Sequence, residues 1–370
     1  MAAARHVQFA TPTRASNPRR TSLFTWLRSV VLPAAYPHGL APGYLTYQCF
    51  DTLQGLCSYL RGVVCTKAVL TGMGVGSTAA TATSATLNYL MRDGASMIGS
   101  LVLASSAAES FGRNVKAWRL FADVVNDIGL TLELFAPLWA PGPVFIIGLM
   151  TASVLKAWCG VAAGATKAAI TQHFSLRAHD VADLAAKEGS QETIVSLLGL
   201  VLGWGVAGLE DAALVRALFA ALTVVHVVAN YCAVRAVHLR DFNWERLEIA
   251  LDGCSKGETH IGPQDVSALE SIWPPRPRVR VVFGPTPGIE FTPSPWPDVV
   301  CAFAGDATAF IAAKRRASSS DVLACCVHVL TRWDGAPCDK AVAQLQRAGW
   351  NADAALLGDA PERRVDAHAF

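Results

Sequence analysis

The sequence has little charge for its length. Only 16% of its 370 residues are Asp, Glu, Lys or Arg, against roughly 25% in ordinary soluble domains. Apolar residues make up 52%, and the mean hydropathy is +0.34. The net charge is only +2, so the chain lacks the basic excess that binds nucleic acid. These shortages argue against a nucleic-acid partner and favour a protein body that faces lipid.

The sequence also lacks the motifs of several enzyme and metal-site classes. Its ten cysteines are scattered without CxxC spacing, which argues against a disulfide framework. The cluster of Cys325, Cys326, His328 and Cys338 fits no common zinc finger. No GxGxxG, GxxxxGK[ST] or Ser-His-Asp spacing stands out. We therefore expect a protein that is not an enzyme, without catalytic residues or metal ligands, and the sequence names no cofactor.

Acidic residues are absent from the first fifty positions. This segment carries five arginines with many Ala, Ser and Thr residues, which is typical of an organelle transit peptide. Residues 1–31 are thus predicted to be a basic presequence, and an untargeted disordered tail is the alternative. A plastid is the preferred destination, with the mitochondrion or endoplasmic reticulum as alternatives.

Apolar stretches without charge mark candidate spanning helices, which need about 20 residues each. Three of five such stretches reach that length, one lies at its lower limit, and one is short. Glycines four apart, such as Gly199 and Gly203, allow helices to approach closely in lipid. We predict a mainly α fold, namely a polytopic transmembrane helical bundle in contact with membrane lipid. For the stretch from Ala68 to Met91, a buried soluble helix pair is the alternative. The stretches are Ala68 to Met91, Gly94 to Ala108, Leu134 to Leu155, Thr193 to Leu209 and Ala217 to Val234.

The pattern changes after the last apolar stretch. The run from Pro274 to Pro277 breaks the chain. Beyond it, residues 279–283 have the pattern of a short strand, and 321–333 and 340–350 have that of helices. We predict a helical membrane body at residues 32–251, a small soluble α/β C-terminal domain at residues 275–358, and a frayed tail at residues 359–370.

One predicted helix, from about Lys116 to Phe135, carries a charged face. Its six polar residues fall within an arc of roughly 120°, with apolar residues opposite. On a soluble protein such a face is solvated, whereas in a membrane body it faces the bundle interior and marks a candidate site. Arg119 and Asp123 are four apart and so placed to neutralise each other, which keeps a structural role open. The six residues are Lys116, Arg119, Asp123, Asn126, Asp127 and Glu133.

A second polar segment lies between two apolar helices and supplies further candidate site residues. Ser190 followed by Thr193 has the spacing of a helix N-cap, which is the structural alternative for this segment. His173 has no Cys or second His at ligand spacing, which favours a structural role. The candidates are Lys167, Gln172, His173, Asp183, Lys187, Glu188, Ser190, Gln191, Glu192 and Thr193.

Four sequence blocks resemble the root UV-B sensitive family. They extend the candidate polar seam to Gln48, Asp51 and Gln54, which lie in the first block. The resemblance covers about residues 32–251, with weaker similarity in the C-terminal domain. The blocks are Tyr47 to Gln54, Trp118 to Asp123 with Asn126 and Asp127, Gly164 to Phe174, and Ala182 to Thr193.

The resemblance implies a eukaryotic membrane protein, plastid-associated in plants, linked to UV-B responses, vitamin B6 balance and auxin transport. It implies no reaction and no catalytic residue. This chain departs from the family pattern at four positions. Gly43 and Ser77 stand where the family usually has an acid, Phe50 where it has Trp, and Lys167 where it has Arg.

Two functions follow as hypotheses. The first is a transporter-like protein in which Asp51, Arg119, Asp123, Asn126 and Glu133 line a polar path for a small-molecule ligand at mid-membrane. The second is a non-catalytic scaffold or signalling partner, in which the seam only pairs helices and the C-terminal domain joins a hetero-oligomer with a family paralogue.

Overall fold

The computed structural model describes most of the chain. The predicted presequence up to residue 21, Ser77 and the predicted tail at 359–370 lie outside the described residues. The residues that the structure describes are 22–75, 82–140, 142–257, 262–272, 280–284, 286, 288–296, 298–305, 308–332 and 336–351.

Long helices form the first part of the described chain, as predicted. Residues 23–31, which composition assigned to a basic tail, form the first of them. The helices are α1 (Leu23–Val31), α2 (Tyr44–Gly72), α3 (Ala82–Arg113), α4 (Val115–Phe135), α5 (Pro143–Phe174), α6 (Val181–Ala207) and α7 (Ala212–Arg235).

Two of the predicted apolar stretches are not single helices. The stretch from Ala68 to Met91 is wrong as one span, because α2 ends at Gly72 and residues 73–75 form a turn. The stretch from Leu134 to Leu155 is interrupted by a 3₁₀ turn at Ala136–Trp139. Pro143 then begins α5, as expected for proline, whose fixed φ suits the first helical position.

Among the described residues, three helices are long and apolar enough to cross a membrane. They are Pro143–Phe174, Ala178–Ala207 and Ala212–Arg235. In the most apolar 18-residue segment of each helix, at most 22% of the residues are buried. Large apolar side chains point outward, among them Trp204 at 81% exposure and Val201 at 70%. Contiguous apolar surface of this kind marks a membrane or partner interface. The predicted helical bundle is confirmed, and its outer surface suits lipid.

Small residues set the packing of α2 against α6. A Cβ atom on Gly199 would lie 2.5 Å from Cδ1 of Tyr59, and one on Gly203 would lie 3.2 Å from Val63. Close approach of the two backbones therefore depends on these glycines, as their spacing predicted. This contact holds α6 against the middle of α2, beyond the candidate residues Gln48, Asp51 and Gln54 at the start of that helix.

The remaining described elements form a small α/β unit, as predicted. Its sheet has the order β1-β4-β3-β2, with β1 and β4 parallel and the other neighbours antiparallel. The predicted body limit at residue 251 falls inside α8, whose buried residues share a hydrophobic cluster with the sheet. The elements are α8 (Trp244–Ser255), α9 (Pro263–Leu269), β1 (Arg280–Phe283), β2 (Thr292–Pro293), β3 (Val299–Ala304), β4 (Thr308–Ala313), α10 (Ser319–Thr331) and α11 (Ala336–Arg347).

Candidate functional site

The charged face of α4 points into the bundle. Five of its six predicted polar residues are buried, while Val124 and Ile128 on the opposite face are 43% and 48% exposed. A helix with charge inside and apolar side chains outside is the reverse of a solvated surface helix. We call this buried charged side of α4 the polar face. Its buried members are Lys116, Arg119, Asp123, Asp127 and Glu133.

The polar face joins a cavity of about 190 Å³ between α2, α4, α5 and α6, which we call the α2–α6 cavity. At its wall Arg119 Nη2 donates to Asp51 Oδ1 at 2.6 Å. The hydrogen bond of Arg119 is therefore made between helices, although Asp123 four residues along remains near enough to interact with its charge. Asp123 Oδ2 is buried without a hydrogen-bond partner among the described residues. Of the predicted residues, the cavity gathers Gln48, Asp51, Gln54, Arg119, Lys167, Glu188, Gln191 and Glu192.

Hydrogen bonds and one ion pair order the rest of this cavity wall. Glu188 accepts from Thr171 Oγ1 at 2.6 Å and from Gln48 Nε2 at 3.4 Å. Lys167 Nζ lies 2.5 Å from Glu192 Oε1, across α5 and α6. The wall thus presents cations and carboxylates to one partly open cavity, which suits a small polar ligand.

Deeper in the bundle, Asp127 holds together three helices. Arg61 Nη1 of α2 donates to Asp127 Oδ1 at 2.5 Å, and His226 Nδ1 of α7 lies 3.2 Å from the same oxygen. Arg61 and His226 are fully buried. Asn126, the sixth predicted residue, donates to Ser58 Oγ at 3.3 Å. This cluster closes the bundle between α2, α4 and α7.

Glu133 forms a third cluster toward the far end of α4. Arg92 of α3 donates to it at 2.5 Å, and Lys156 of α5 lies 3.1 Å away. Arg92, Ser153 and Lys156 also line a groove of about 530 Å³ between α3 and α5, the α3–α5 groove. The path from Arg119 to Glu133 covers 14 residues, about 21 Å of helix axis. The α2–α6 cavity therefore lies toward one end of this stretch of α4, and the α3–α5 groove lies toward the other.

Three predicted residues on α6 bind α1 and the residues just after it, and one of them, Gln191, also lines the α2–α6 cavity. Asp183 accepts from the Ala34 backbone N–H at 2.8 Å, and Lys187 Nζ donates to the Ser29 carbonyl at 2.6 Å. Gln191, one further turn along, donates to the Val31 carbonyl at 2.6 Å. Residues four apart share one face of a helix, so these three present one clamp to α1.

The N-cap interpretation of Ser190 is wrong. Helix α6 already begins at Val181, and Ser190 lies inside it with its hydroxyl donating to the Ala186 carbonyl at 3.0 Å. Thr193 does the same toward Gly189 at 2.9 Å. Both hydroxyls are satisfied by the preceding turn, so α6 continues through the polar segment without a break.

Lys116 connects α4 to the C-terminal unit. Its Nζ lies 2.8 Å from Glu270 Oε2 and donates to Ser267 Oγ at 2.7 Å. Arg246 Nε donates to Glu270 Oε1 at 2.7 Å. Burial alone would raise the pKa of Glu270, but Arg246 and Lys116 lower it below its ordinary value. The two cations therefore keep Glu270 ionised at this junction.

Sequence reasoning missed four partners of the polar face. Arg61, Lys156 and His226 each lie without a charged neighbour in their own helix turn, whereas Arg92 is followed by Asp93. An ionisable residue inside an apolar helix is by default a candidate functional residue, and that signal was available. Their pairing with α4 could not be read from the sequence, because it joins residues that are 23 to 99 positions apart. Gln172 and His173 lie away from the polar face, at the end of α5.

No metal centre is evident in the part of the chain that the structure describes, where no group of three or more His, Cys, Asp or Glu is placed to hold an ion. Cys325, Cys326 and Cys338 are buried in the C-terminal core. A hydrogen bond with the neighbouring Cys301, together with burial, raises the pKa of Cys325. These thiols pack as small apolar side chains.

Fold and site define a class of protein: a helical bundle with a buried polar face, helices of membrane-spanning length and an attached α/β unit. A family model described as "Vitamin B6 photo-protection and homoeostasis domain" matches residues 17–257. The chain therefore belongs to the root UVB sensitive family, as its sequence blocks indicated.

Individual relatives agree with this assignment. The chain is 38% identical over 245 residues to "Protein root UVB sensitive 3" of Arabidopsis thaliana, covering 66% of this chain and 55% of that protein. It is 38% identical over 262 residues to "RUS family member 1" of Dictyostelium discoideum, covering 69% and 49%. It is 29% identical over 251 residues to "Protein root UVB sensitive 2, chloroplastic" of A. thaliana, covering 66% and 56%.

The chain spans about half the length of these curated relatives. No solved structure matches it. The family is thus established from sequence, and the geometry of the polar face has no experimental counterpart to compare with.

Proposed function

We propose that this chain is a membrane protein whose polar face binds a small polar solute and passes it between the α2–α6 cavity and the α3–α5 groove. The role is linked to the UV-B response and vitamin B6 homeostasis, which the family's names describe. Binding and passage, not covalent catalysis, are the proposed activity. A vitamin B6 compound is the proposed solute class.

One observation carries this proposal: the charges of α4 lie inside the bundle along about 21 Å of its length, with a cavity toward each end. The hydrocarbon core of a bilayer is about 30 Å thick. Three ion-paired clusters between the cavities would act as successive polar contacts for a solute. The cluster of Arg61, Asp127 and His226 is the proposed closed barrier.

Asp123 is the proposed solute contact on this path. Its carboxylate is 7% exposed, and its Oδ2 has no hydrogen-bond partner among the described residues. An unpartnered buried acceptor is costly, so a solute donor or a water molecule stabilises it. Arg119 and Asp127 form hydrogen bonds with residues of other helices. Among the carboxylates of the polar face, Asp123 therefore has an oxygen that is available to bind a solute.

The test is uptake of pyridoxine, pyridoxal and pyridoxamine into liposomes that contain the purified chain. We expect faster uptake than into protein-free liposomes, and a loss of about tenfold or more for Asp123→Asn, since losing a charged hydrogen-bond partner costs roughly 1.5–3 kcal/mol. The control is Glu210→Gln, an exposed carboxylate between α6 and α7. Equal uptake with and without protein for all three compounds would refute the proposal.

The scaffold hypothesis predicts a different result in the same preparation. There the polar clusters serve only to pair helices, Asp123→Asn leaves any flux unchanged, and the chain assembles with a family paralogue. Co-purification with a paralogue, with no flux of any vitamer, would favour the scaffold.

We propose an organelle membrane as the location of the chain, with the plastid preferred because one relative is named chloroplastic.

A further inference from the structure

A third cavity, of about 520 Å³, lies where the helical bundle meets the C-terminal unit. We call it the junction cavity. One wall is the end of α5 with Gln172 and His173, and the other includes Arg240, Asp241 and Arg246, with Asn351 from the end of the described chain. It does not include the polar face of α4, so it is a site separate from the proposed solute path.

The junction cavity contains buried donors whose hydrogen-bonding capacity is not used. Arg246 is 2% exposed; its Nε donates to Glu270 and its Nη1 to the Asp241 carbonyl at 2.5 Å. Its Nη2 is buried without a hydrogen-bond partner among the described residues, as is His173 Nε2. A guanidinium nitrogen is always a donor, so at least one acceptor is missing here. Leaving such a group unsatisfied destabilises the folded chain, and a bound acceptor would remove that cost.

The charges around the junction cavity favour an anion. Among the residues that line the cavity, Arg240 and Arg246 are cations and Asp241 is a carboxylate. Glu270 and Lys116, which lie behind Arg246, add one charge of each sign, so one positive charge is in excess. Both carboxylates already have partners: Glu270 binds Arg246 and Lys116, and Asp241 accepts from Asn351 Nδ2 at 2.7 Å. Arg240 is exposed at the rim, where its guanidinium is available to a ligand.

We propose that the junction cavity binds a phosphate monoester. Guanidinium groups recognise phosphate oxygens through paired charge-assisted hydrogen bonds. A phosphate monoester has more acceptor oxygens than a carboxylate, so it matches donors that approach from several elements: Arg246, Arg240, Gln172 and the Nε2–H tautomer of His173. The volume exceeds that of the phosphate group alone, so an organic body fits beside it.

The organic body has two possible sources, a soluble metabolite or a lipid headgroup, and the experiment separates them. Purified full-length chain in detergent is titrated with pyridoxine 5′-phosphate and, as the phosphate-free control, with pyridoxine. In parallel, chain in nanodiscs is tested for binding to phosphatidic acid against phosphatidylcholine. We expect saturable binding of one phosphate probe, with at least tenfold weaker binding of its control.

The diagnostic variant is Arg240→Gln, because this exposed side chain is removed without disturbing the core. We expect it to weaken binding of that phosphate probe about tenfold or more, as loss of one charge-assisted hydrogen bond implies. Arg177→Gln, an exposed arginine outside the cavity lining, is the matched control for net charge and should leave binding unchanged.

Two results would overturn this inference: neither probe binds in preference to its control, or the two arginine variants weaken binding equally. The inference does not rest on the proposed solute path. Asp123→Asn should bind the phosphate probe as the wild-type chain does, so failure of uptake and failure of phosphate binding are distinguishable.

Discussion

The ion pair between Arg61 and Asp127 offers the most direct test of the buried clusters. Arg61 is fully buried, and its Nη1 lies 2.5 Å from Asp127 Oδ1. Removing one partner of a buried pair leaves an uncompensated charge and costs about 3–5 kcal/mol. Since His226 retains its 3.2 Å contact with Asp127, we expect Arg61→Met to cost about 3 kcal/mol, at the lower end of that range.

Replacing both partners should behave differently. A buried pair exchanged for apolar side chains of similar volume is often neutral in stability. Arg61→Met combined with Asp127→Leu should therefore be more stable than either single variant. Such an outcome distinguishes a coupled pair from two independent packing residues, because independent losses add.

Thermal unfolding of the full chain in detergent, followed by far-ultraviolet circular dichroism, measures these effects. A loss of about 3 kcal/mol should lower the Tm by roughly 6–12 °C, if the scaling for domains of 150–250 residues holds. Arg216→Met, at an exposed arginine of α7, is the control and should change the Tm little. If the double variant loses the sum of the two single losses, the pair contributes no coupling and the reasoning is refuted.

Two further predictions concern packing and pH. Gly199→Ala should destabilise the chain by about 1–3 kcal/mol through overpacking, because its Cβ would lie 2.5 Å from Tyr59 Cδ1, whereas Gly205→Ala has no atom within 4 Å. Equal Tm values for the two alanine variants would contradict this packing. Because the pKa of Glu270 is lowered from 4.5 on folding, its stabilising contribution is complete above that value and is lost as the pH falls through the folded-state pKa. Hydrogen exchange in α9 should therefore accelerate below about pH 4.5 in wild-type chain, and Glu270→Gln should reduce that pH dependence; an identical pH profile for the variant would contradict it.

Local periodicity predicted α4 well. The helix was expected from about Lys116 to Phe135 and is found at Val115–Phe135, because six polar residues at helical spacing form one face. The same reasoning did not reach the hydrogen-bond partner of Arg119. Spacing of four offered Asp123 as one possible partner, but Asp51 of α2 is the carboxylate that forms the ion pair with Arg119. Packing of α2 against α4 decides that choice, and no local pattern records it.

Gly43 shows how a departure from the family pattern depends on the surrounding backbone. It precedes α2 with φ of +90°, a conformation that side chains with a Cβ rarely adopt. A Cβ there would meet the Ala236 carbonyl oxygen at 2.1 Å. The acid expected from the resemblance therefore does not fit this position in this chain. The sequence alone shows the missing carboxylate, but not the steric reason for its absence.

The charges along the polar face limit what a solute on it can be. From Arg119 to Glu133, α4 and its ion-pair partners contribute four cations (Arg119, Arg61, Arg92 and Lys156) and four carboxylates (Asp51, Asp123, Asp127 and Glu133). Their formal sum is zero, so a solute without net charge changes the electrostatics of the buried path least. A phosphorylated compound would add up to two negative charges. The proposed path thus suits dephosphorylated, polar solutes, whereas the junction cavity, with its excess positive charge, suits the phosphorylated ones. The two proposed sites therefore differ in the phosphorylation state of the ligand that each suits.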